Sequence, residues 1–171
     1  MDVKTTVSQL MDAAHGYMEM AIRDCSPETL THKLPGSTIN SVGTIYAHTV
    51  FGEDGFLNGL IRGQTPVYLA GGWAQKVGLE MPQGGQELDH DVVYELAPFR
   101  EYAAAVYKAT SDYLASASDA DLAKMVDAGF APPMPASAFI TNILAWHIAS
   151  HQGEISALKG AQGLNGLDRS H

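Results

Sequence analysis

Three histidines have the spacing and the predicted surroundings of a metal site. His147 and His151 are four residues apart in a segment whose apolar residues recur with helical periodicity, and side chains at this spacing lie on one face of a helix. Two imidazoles stacked in this way can share one ion, with nitrogens ~2.0–2.1 Å from it. His48 shares the predicted inward face of an earlier helix with Ile45 and Phe56 and could supply a third nitrogen. The sequence therefore predicts one divalent ion per chain, with zinc or nickel favoured because imidazole suits both.

A second interpretation is that these histidines are ordinary core residues that bind each other. A lone histidine on an apolar face is more often of that kind, and the His-x-x-x-His pattern occurs by chance on many helices. An inward pair together with a third inward histidine favours the metal, because buried imidazoles need polar partners and this helix offers few others.

Four long helices are predicted to position these residues. The first spans residues 3–24, the second begins between residues 38 and 41 and runs to about residue 62, the third lies within residues 91–116, and the fourth runs from about residue 136 to residue 159. Helices of roughly 20 residues are ~30 Å long and suit an all-α four-helix bundle. We expect one domain over residues 1–171, with a frayed Gly-rich tail from about residue 162.

The connection between the second and third helices, residues 64–89, is unusually long and rich in proline and glycine. Connections of this length in small domains are usually functional or mobile. Tyr68 and Trp73 should anchor it over the bundle, where it would wall a pocket above the metal. Its Gly71-Gly72 and Gly84-Gly85 pairs are interpreted as turns.

Several other residues are candidates for the site. Glu87 and His90 have the Glu-x-x-His spacing of di-iron bundles, but those need two such motifs, and His90 alone could reach the metal from the covering segment. Cys25 is interpreted as a buried structural thiol rather than a nucleophile, and His15 as a helix-packing or surface residue. Trp146 should pack against a neighbouring helix or a second subunit. The tyrosines that could line the pocket are Tyr17, Tyr46 and Tyr102.

The charge of the chain argues against two classes of partner. Ten Lys and Arg against 19 Asp and Glu give a formal net charge of −9, and no basic stripe is available for phosphates or anionic lipids. The N-terminus lacks the pattern of a signal peptide, and no apolar run approaches the ~20 residues of a membrane helix. We therefore expect a cytoplasmic protein that binds neither nucleic acid nor membranes.

Two segments resemble the DinB/YfiT-like family. Residues 41–48, SVGTIYAH, are similar to the start of its second helix, and residues 145–155, AWHIASHQGEI, are similar to its last-helix motif. The resemblance implies an up-down-down-up bundle, commonly dimeric, with His48, His147 and His151 as metal ligands. The family often has Gln where this chain has Glu154, whose carboxylate could orient a ligand, relay a proton as a catalytic residue, or bind the metal.

Three nitrogen ligands leave a coordination position open, as in catalytic zinc sites. The family to which the resemblance points includes enzymes that use low-molecular-weight thiols to attack electrophiles or isomerise substrates, besides many members without a known activity. The resemblance thus implies a metal-dependent enzyme of the S-transferase, isomerase or hydrolase type that uses a small thiol and an electrophile. The alternative is a metal-binding stress or interaction protein without turnover.

Overall fold

A computed structural model describes residues 2–82 and 86–170. The predicted turn at Gly84-Gly85 lies outside the described residues. Within the described ranges the regular structure is helical apart from one short two-stranded ladder, which confirms the all-α prediction. The elements are α1 (Val3–Ile22), α2 (Pro27–Thr31), α3 (Val42–Glu53), the π-helical segment π1 (Asp54–Ile61), α4 (Val67–Ala70), α5 (Ala74–Val77), α6 (Leu96–Ser116), α7 (Asp119–Ala123), β1 (Met125–Val126), β2 (Met134–Pro135), α8 (Ala136–Phe139), the π-helical segment π2 (Ile140–Ala145) and α9 (Trp146–Ala161).

The four predicted long helices are α1, α3 continued by π1, α6, and α8 continued by π2 and α9. Their starts follow local signals in the sequence. The side chains of Asp2 and Ser41 accept hydrogen bonds from backbone amides in the first turns of α1 and α3, and Ser118 forms a capping box on α7, because these residue types satisfy the free amides of a first turn. Pro98 lies in the first turn of α6. A backbone N–H at this position has no partner within the helix, so its absence in proline costs no hydrogen bond.

Contacts near the end of α1 give the direction of the other long helices. Glu19 accepts hydrogen bonds from Tyr46, at the start of the second long helix, and from Arg100, at the start of α6. Both helices therefore run antiparallel to α1. Lys159, near the end of α9, donates to the Ala21 carbonyl at 2.8 Å, so the fourth long helix runs parallel to α1. This is the up-down-down-up topology.

The long connection follows from that topology. Because the second and third long helices run in the same direction, the chain must return along the bundle, a path of ~30 Å, between Ile61 and Leu96. The sequence predicted an irregular segment here and missed the short helices α4 and α5, which are below the length at which periodicity is informative.

One buried carboxylate holds the connection in place. Asp54, fully buried at the start of π1, accepts hydrogen bonds from the amides of Val67 and Tyr68 at 2.8 and 2.9 Å. It also accepts from Asn58 Nδ2 at 2.8 Å and from the Tyr102 hydroxyl at 2.9 Å. Asp54 thereby ties the second long helix to α4 and α6, a role that the sequence analysis did not anticipate.

A second buried polar contact joins α1 to the second long helix. His15 Nε2 lies 3.0 and 2.9 Å from the two carboxylate oxygens of Glu53, and the imidazole stacks on Tyr107 with ring centroids 4.0 Å apart. His15 is thus a helix-packing residue, as predicted, and Glu53 is its buried partner.

Two details of the chain ends and loops differ from the predictions. The tail after α9 is not free, because the Asp168 amide donates to the Met20 carbonyl at 2.8 Å and Arg23 donates to the Ser170 carbonyl at 2.7 Å. A two-residue ladder pairs β1 antiparallel with β2, with Val126 opposite Met134. Strands this short carry no alternating pattern, so the hairpin could not be predicted.

No helix within the described ranges is both long enough and apolar enough to cross a membrane.

Candidate metal centre

The structure brings the three predicted histidines together on neighbouring antiparallel helices. His48 comes from α3, and His147 and His151 come from successive turns of α9. One potential ligand atom from each lies within 4.8 Å of the other two, and Nε2 of His48 is 2.9 Å from Nε2 of His147. The closeness depends on the helix pair, since the two segments are about a hundred residues apart in the chain.

This arrangement fits a divalent ion. Two nitrogens bound tetrahedrally at ~2.0–2.1 Å from one ion are about 3.4 Å apart. The three nitrogens observed here lie within 4.8 Å of one another, so small rotations of the rings bring them to that spacing. The three histidines could therefore hold one metal ion, and the donor set of three imidazoles suits zinc, nickel, copper or iron.

Glu154 contacts one of the histidines rather than joining the cluster. Its Oε2 lies 2.7 Å from His151 Nδ1, so Nδ1–H donates a hydrogen bond to the carboxylate and Nε2 keeps its lone pair. A carboxylate on the outer nitrogen fixes the tautomer and orientation of a metal-binding histidine. Of the three roles weighed for Glu154, orienting a ligand is the one that this contact supports.

Burial keeps two of the histidines in the neutral form that metal binding requires. Desolvation, together with the positive charges that His151 and His48 would carry, lowers the pKa of His147 to about 4. Desolvation and His151 also lower the pKa of His48, against the opposing effect of Glu154 and Glu87. A proton competes with a metal ion for an imidazole only below the pKa of that imidazole. The pH below which protons compete at His147 therefore falls from the ordinary value near 6.5 to about 4.

The site lies at the rim of the bundle, not in its core. His48 was predicted to face inward with Ile45, but it is exposed while all other residues between positions 41 and 50 are buried. His147 and His151 are half-buried. The face of α3 that packs into the core therefore does not include His48. The interpretation of His48 as an ordinary core residue does not apply.

A glycine makes room for one of the rings. A Cβ atom at Gly52, one turn after His48, would lie 3.2 Å from Cε1 of His147. That distance is shorter than ordinary van der Waals contact between carbons. The absence of a side chain at Gly52 thus allows the His147 ring to approach the second long helix.

We expect Gly52→Ala to lower metal affinity about tenfold, within the range seen when groups that support metal ligands are changed. The free energy of unfolding of the metal-free protein should not fall, since alanine favours a helix over glycine by ~0.8–1.0 kcal/mol. Competition with a chelator and denaturant titration measure the two quantities. Gly16→Ala in α1 is the matched control, because no atom lies within 4 Å of its added Cβ. Native metal affinity in Gly52→Ala would contradict the prediction.

A cavity of about 440 Å³ adjoins the histidines. His48 and Gly52 are among its lining residues, and the connection between the second and third long helices forms one wall, as expected from the sequence. The lining residues are His48, Phe51, Gly52, Gly55, Phe56, Leu60, Met81, Pro82, Gln86, Leu88, Asp127 and Ala128. Asp127 and Ala128 come from the hairpin after β1 and were missed, because no local pattern indicates that this loop reaches the site.

Other residues proposed for the site lie elsewhere. His90 Nδ1 is hydrogen-bonded to Asn40 Oδ1, and His90 does not belong to the histidine cluster. Tyr46 and Tyr102 are buried in the core. Tyr17 is exposed on α1, so none of the three candidate tyrosines lines the cavity.

Trp146 is largely exposed rather than packed against a neighbouring helix of its own chain, which was one of the two predictions for it. Its side chain is 68% exposed, directly before His147. Contact with a second subunit remains the other prediction for this residue.

Cys25 is buried, and its Sγ lies 3.6 Å from the Ala21 carbonyl. Desolvation raises its pKa to about 11, against the smaller effect of Lys159. The thiol is therefore protonated at neutral pH, which agrees with a structural role.

We expect Cys25 to react with a disulfide reagent at pH 7 at least about a hundredfold more slowly in the folded protein than in the denatured chain. The nucleophile is the thiolate, and a pKa raised from 9.0 to about 11 reduces its fraction. The rate in the folded protein should rise as the pH approaches 11. Equal rates in folded and denatured protein would show that Cys25 is reactive.

The architecture and the histidine cluster define a helical bundle with a potential metal site at its rim. The chain belongs to the DinB superfamily, whose family model matches residues 10–155. A crystal structure of a conserved protein from Enterococcus faecalis has a TM-score of 0.70 and 21% identity, covering 93% of this chain and 96% of that one. A DinB-like protein from Bacillus cereus ATCC 10987 has a TM-score of 0.51 and 19% identity, covering 95% and 92%. At these identities the structural likeness shows the fold alone. Comparison with curated proteins gives no match.

Proposed function

We propose that this protein is a metal-dependent enzyme in which a low-molecular-weight thiol attacks a small organic electrophile. The observation that carries the proposal is the convergence of His48, His147 and His151 at the mouth of a cavity of about 440 Å³. A structural metal site is closed by four protein ligands, whereas three histidines beside a cavity leave room for a reactant. The use of a thiol rests on the family resemblance.

The residues of the site have separate roles in the proposed reaction. His48, His147 and His151 would hold zinc or nickel, and Glu154 keeps His151 in the tautomer that presents Nε2. A divalent ion held there would supply Lewis acidity that lowers the pKa of a thiol. In the overall reaction a carbon–sulfur bond forms while the leaving group of the electrophile departs with its electron pair. The thiol proton passes to solvent. Glu154 provides a solvent-accessible carboxylate for this transfer, since its side chain is 45% exposed.

The experiment that tests this proposal uses protein purified without an affinity tag and loaded with zinc or nickel. Cellular thiols are offered as a panel together with a generic electrophile, and product formation is followed. Turnover that disappears in His48→Ala supports the enzyme. A rate equal to that of the uncatalysed reaction for every thiol overturns it and favours the alternative, a metal-binding protein without turnover.

We also propose that the protein is a homodimer. Trp146 on α9 and Tyr17 and Leu10 on α1 are exposed apolar side chains on two helices that pack side by side. Contiguous exposed apolar surface is typical of subunit interfaces, and the family resemblance implies a dimer.

Trp146→Glu is expected to convert the dimer to a monomer, because it would place a carboxylate in an apolar interface. Light scattering measures the change in mass. Phe130→Ser is the matched control, since Phe130 is an exposed aromatic residue of the hairpin between β1 and β2. A native protein that is monomeric at high micromolar concentration would contradict the proposal.

A further inference from the structure

The cavity beside the histidines has walls that are mainly apolar. Phe51, Phe56, Leu60, Met81 and Leu88 contribute side chains from the second long helix and from the connection. Its volume of about 440 Å³ lies in the ~300–1,000 Å³ range of small-molecule sites. Such walls favour an apolar molecule of that size, because its binding removes apolar surface of both the molecule and the cavity from contact with water.

The few polar groups around this cavity include no positive charge. Gln86 and Asp127 are the polar lining residues besides His48, and no Lys or Arg lines the cavity in the part of the chain that the structure describes. Asp127 is exposed at the edge, where its Oδ1 accepts a hydrogen bond from the Gly129 amide at 2.9 Å. Anion-binding sites use Arg, Lys or a helix N-terminus, and neither Arg nor Lys is among the described residues that line the cavity.

Negative charge also flanks the histidine end of the cavity. Glu87 and Glu154 both interact electrostatically with His48, and the whole chain has a formal net charge of −9. In the metal-free protein an anionic molecule would meet the like charges of Asp127, Glu87 and Glu154 and would lose its hydration without gaining a cationic partner.

We infer that this cavity binds the body of a small, uncharged and largely apolar organic molecule, and that Asp127 discriminates against its anionic relatives. The role of this molecule as the electrophile rests on the proposed function, whereas its binding does not. Asp127 is a specificity residue, since its contact with Gly129 holds the carboxylate at the cavity edge.

The test compares two probes of nearly the same shape. The neutral probe is 1,3-dinitrobenzene and the anionic probe is 3,5-dinitrobenzoate, and binding to the full-length protein is followed by NMR shift changes. The comparison is made on metal-free protein, so that the carboxylate cannot bind a metal. We expect the neutral probe to bind at least about tenfold more tightly, a difference of about 1.4 kcal/mol. The neutral probe should also bind the zinc-loaded protein.

Two variants locate the binding. Ala128→Phe should fill the cavity and abolish binding of the neutral probe while metal content stays native, because Ala128 lines the cavity but is not part of the histidine cluster. Asp127→Asn keeps the Oδ1 acceptor for Gly129 but removes the charge, so it should reduce the preference for the neutral probe severalfold. Asp12→Asn makes the same charge change on the exposed surface of α1 and should leave the preference unchanged.

The outcomes separate this inference from the proposed function. No binding of the neutral probe, equal binding of both probes, or binding that survives in a folded Ala128→Phe variant would overturn the inference. An unchanged preference in Asp127→Asn would overturn the role of Asp127. If the neutral probe binds as expected but no thiol is turned over, the cavity inference stands and the enzymatic proposal fails.

Discussion

Replacing both His147 and His151 with alanine is expected to reduce bound metal from one ion per chain to a trace, with a loss of affinity of at least about a thousandfold. Four-ligand zinc sites bind with roughly 10–16 kcal/mol, so removing two of three protein ligands leaves too little for stable binding. His48 alone remains in the double variant, and a single imidazole cannot hold an ion against a chelator. Elemental analysis of protein purified without an affinity tag measures the change.

The matched control is the double variant His32→Ala with His90→Ala. Both residues are exposed, and neither belongs to the histidine cluster. The control removes the same number of imidazoles, so its metal content should stay at one ion per chain. Unchanged metal content in the His147 and His151 variant would remove the hypothesis of a three-histidine site. Loss of metal in the control would instead place the ion elsewhere.

Asp54→Ala is expected to lower the free energy of unfolding by at least about 4 kcal/mol. The substitution would leave the amides of Val67 and Tyr68, the Asn58 amide group and the Tyr102 hydroxyl without their acceptor. Each unsatisfied buried donor costs ~1–3 kcal/mol. Since whole domains are stable by only ~5–15 kcal/mol, the variant should unfold at a much lower denaturant concentration.

Asp112→Ala is the control for this measurement, because Asp112 is exposed and contacts Lys108 on the same helix. Removal of such a surface pair should change stability by less than about 0.5 kcal/mol. Asp54→Asn tests the charge separately. Each carboxylate oxygen of Asp54 accepts hydrogen bonds from two donors, so the amide nitrogen of an asparagine would face two donors and no acceptor. Native stability in Asp54→Ala would show that the connection is not anchored through this residue.

The same anchor has a consequence for the cavity. Asp54 holds α4 against the bundle, and the connection that contains α4 continues to Met81, Gln86 and Leu88 in the cavity wall. Loss of the anchor should therefore weaken binding of the neutral probe even at a temperature at which the variant is folded.

The sequence by itself determined the features that depend on neighbouring residues. The long helices could be predicted because apolar residues repeat every three or four positions and caps such as Ser41 precede them. The pairing of His147 with His151 follows from the pitch of a helix. The same pitch places Glu154 one turn after His151, although it does not show which histidine nitrogen the carboxylate contacts. The direction of the helices and the third ligand, His48, depended on the family resemblance as well as on periodicity.

The tertiary structure alone decided which faces of these helices are covered. His48 is exposed at the rim, whereas Asp54, an acid that composition would place in solvent, is fully buried. The orientation of α3 in the bundle decides the exposure of His48. The burial of Asp54 is decided by the amides of Val67 and Tyr68 in α4, which bond to its carboxylate. Asp127 reaches the cavity from a hairpin whose two-residue strands carry no periodic signal. Contacts between residues far apart in the chain depend on packing and on loop paths, for which a sequence has no repeating pattern.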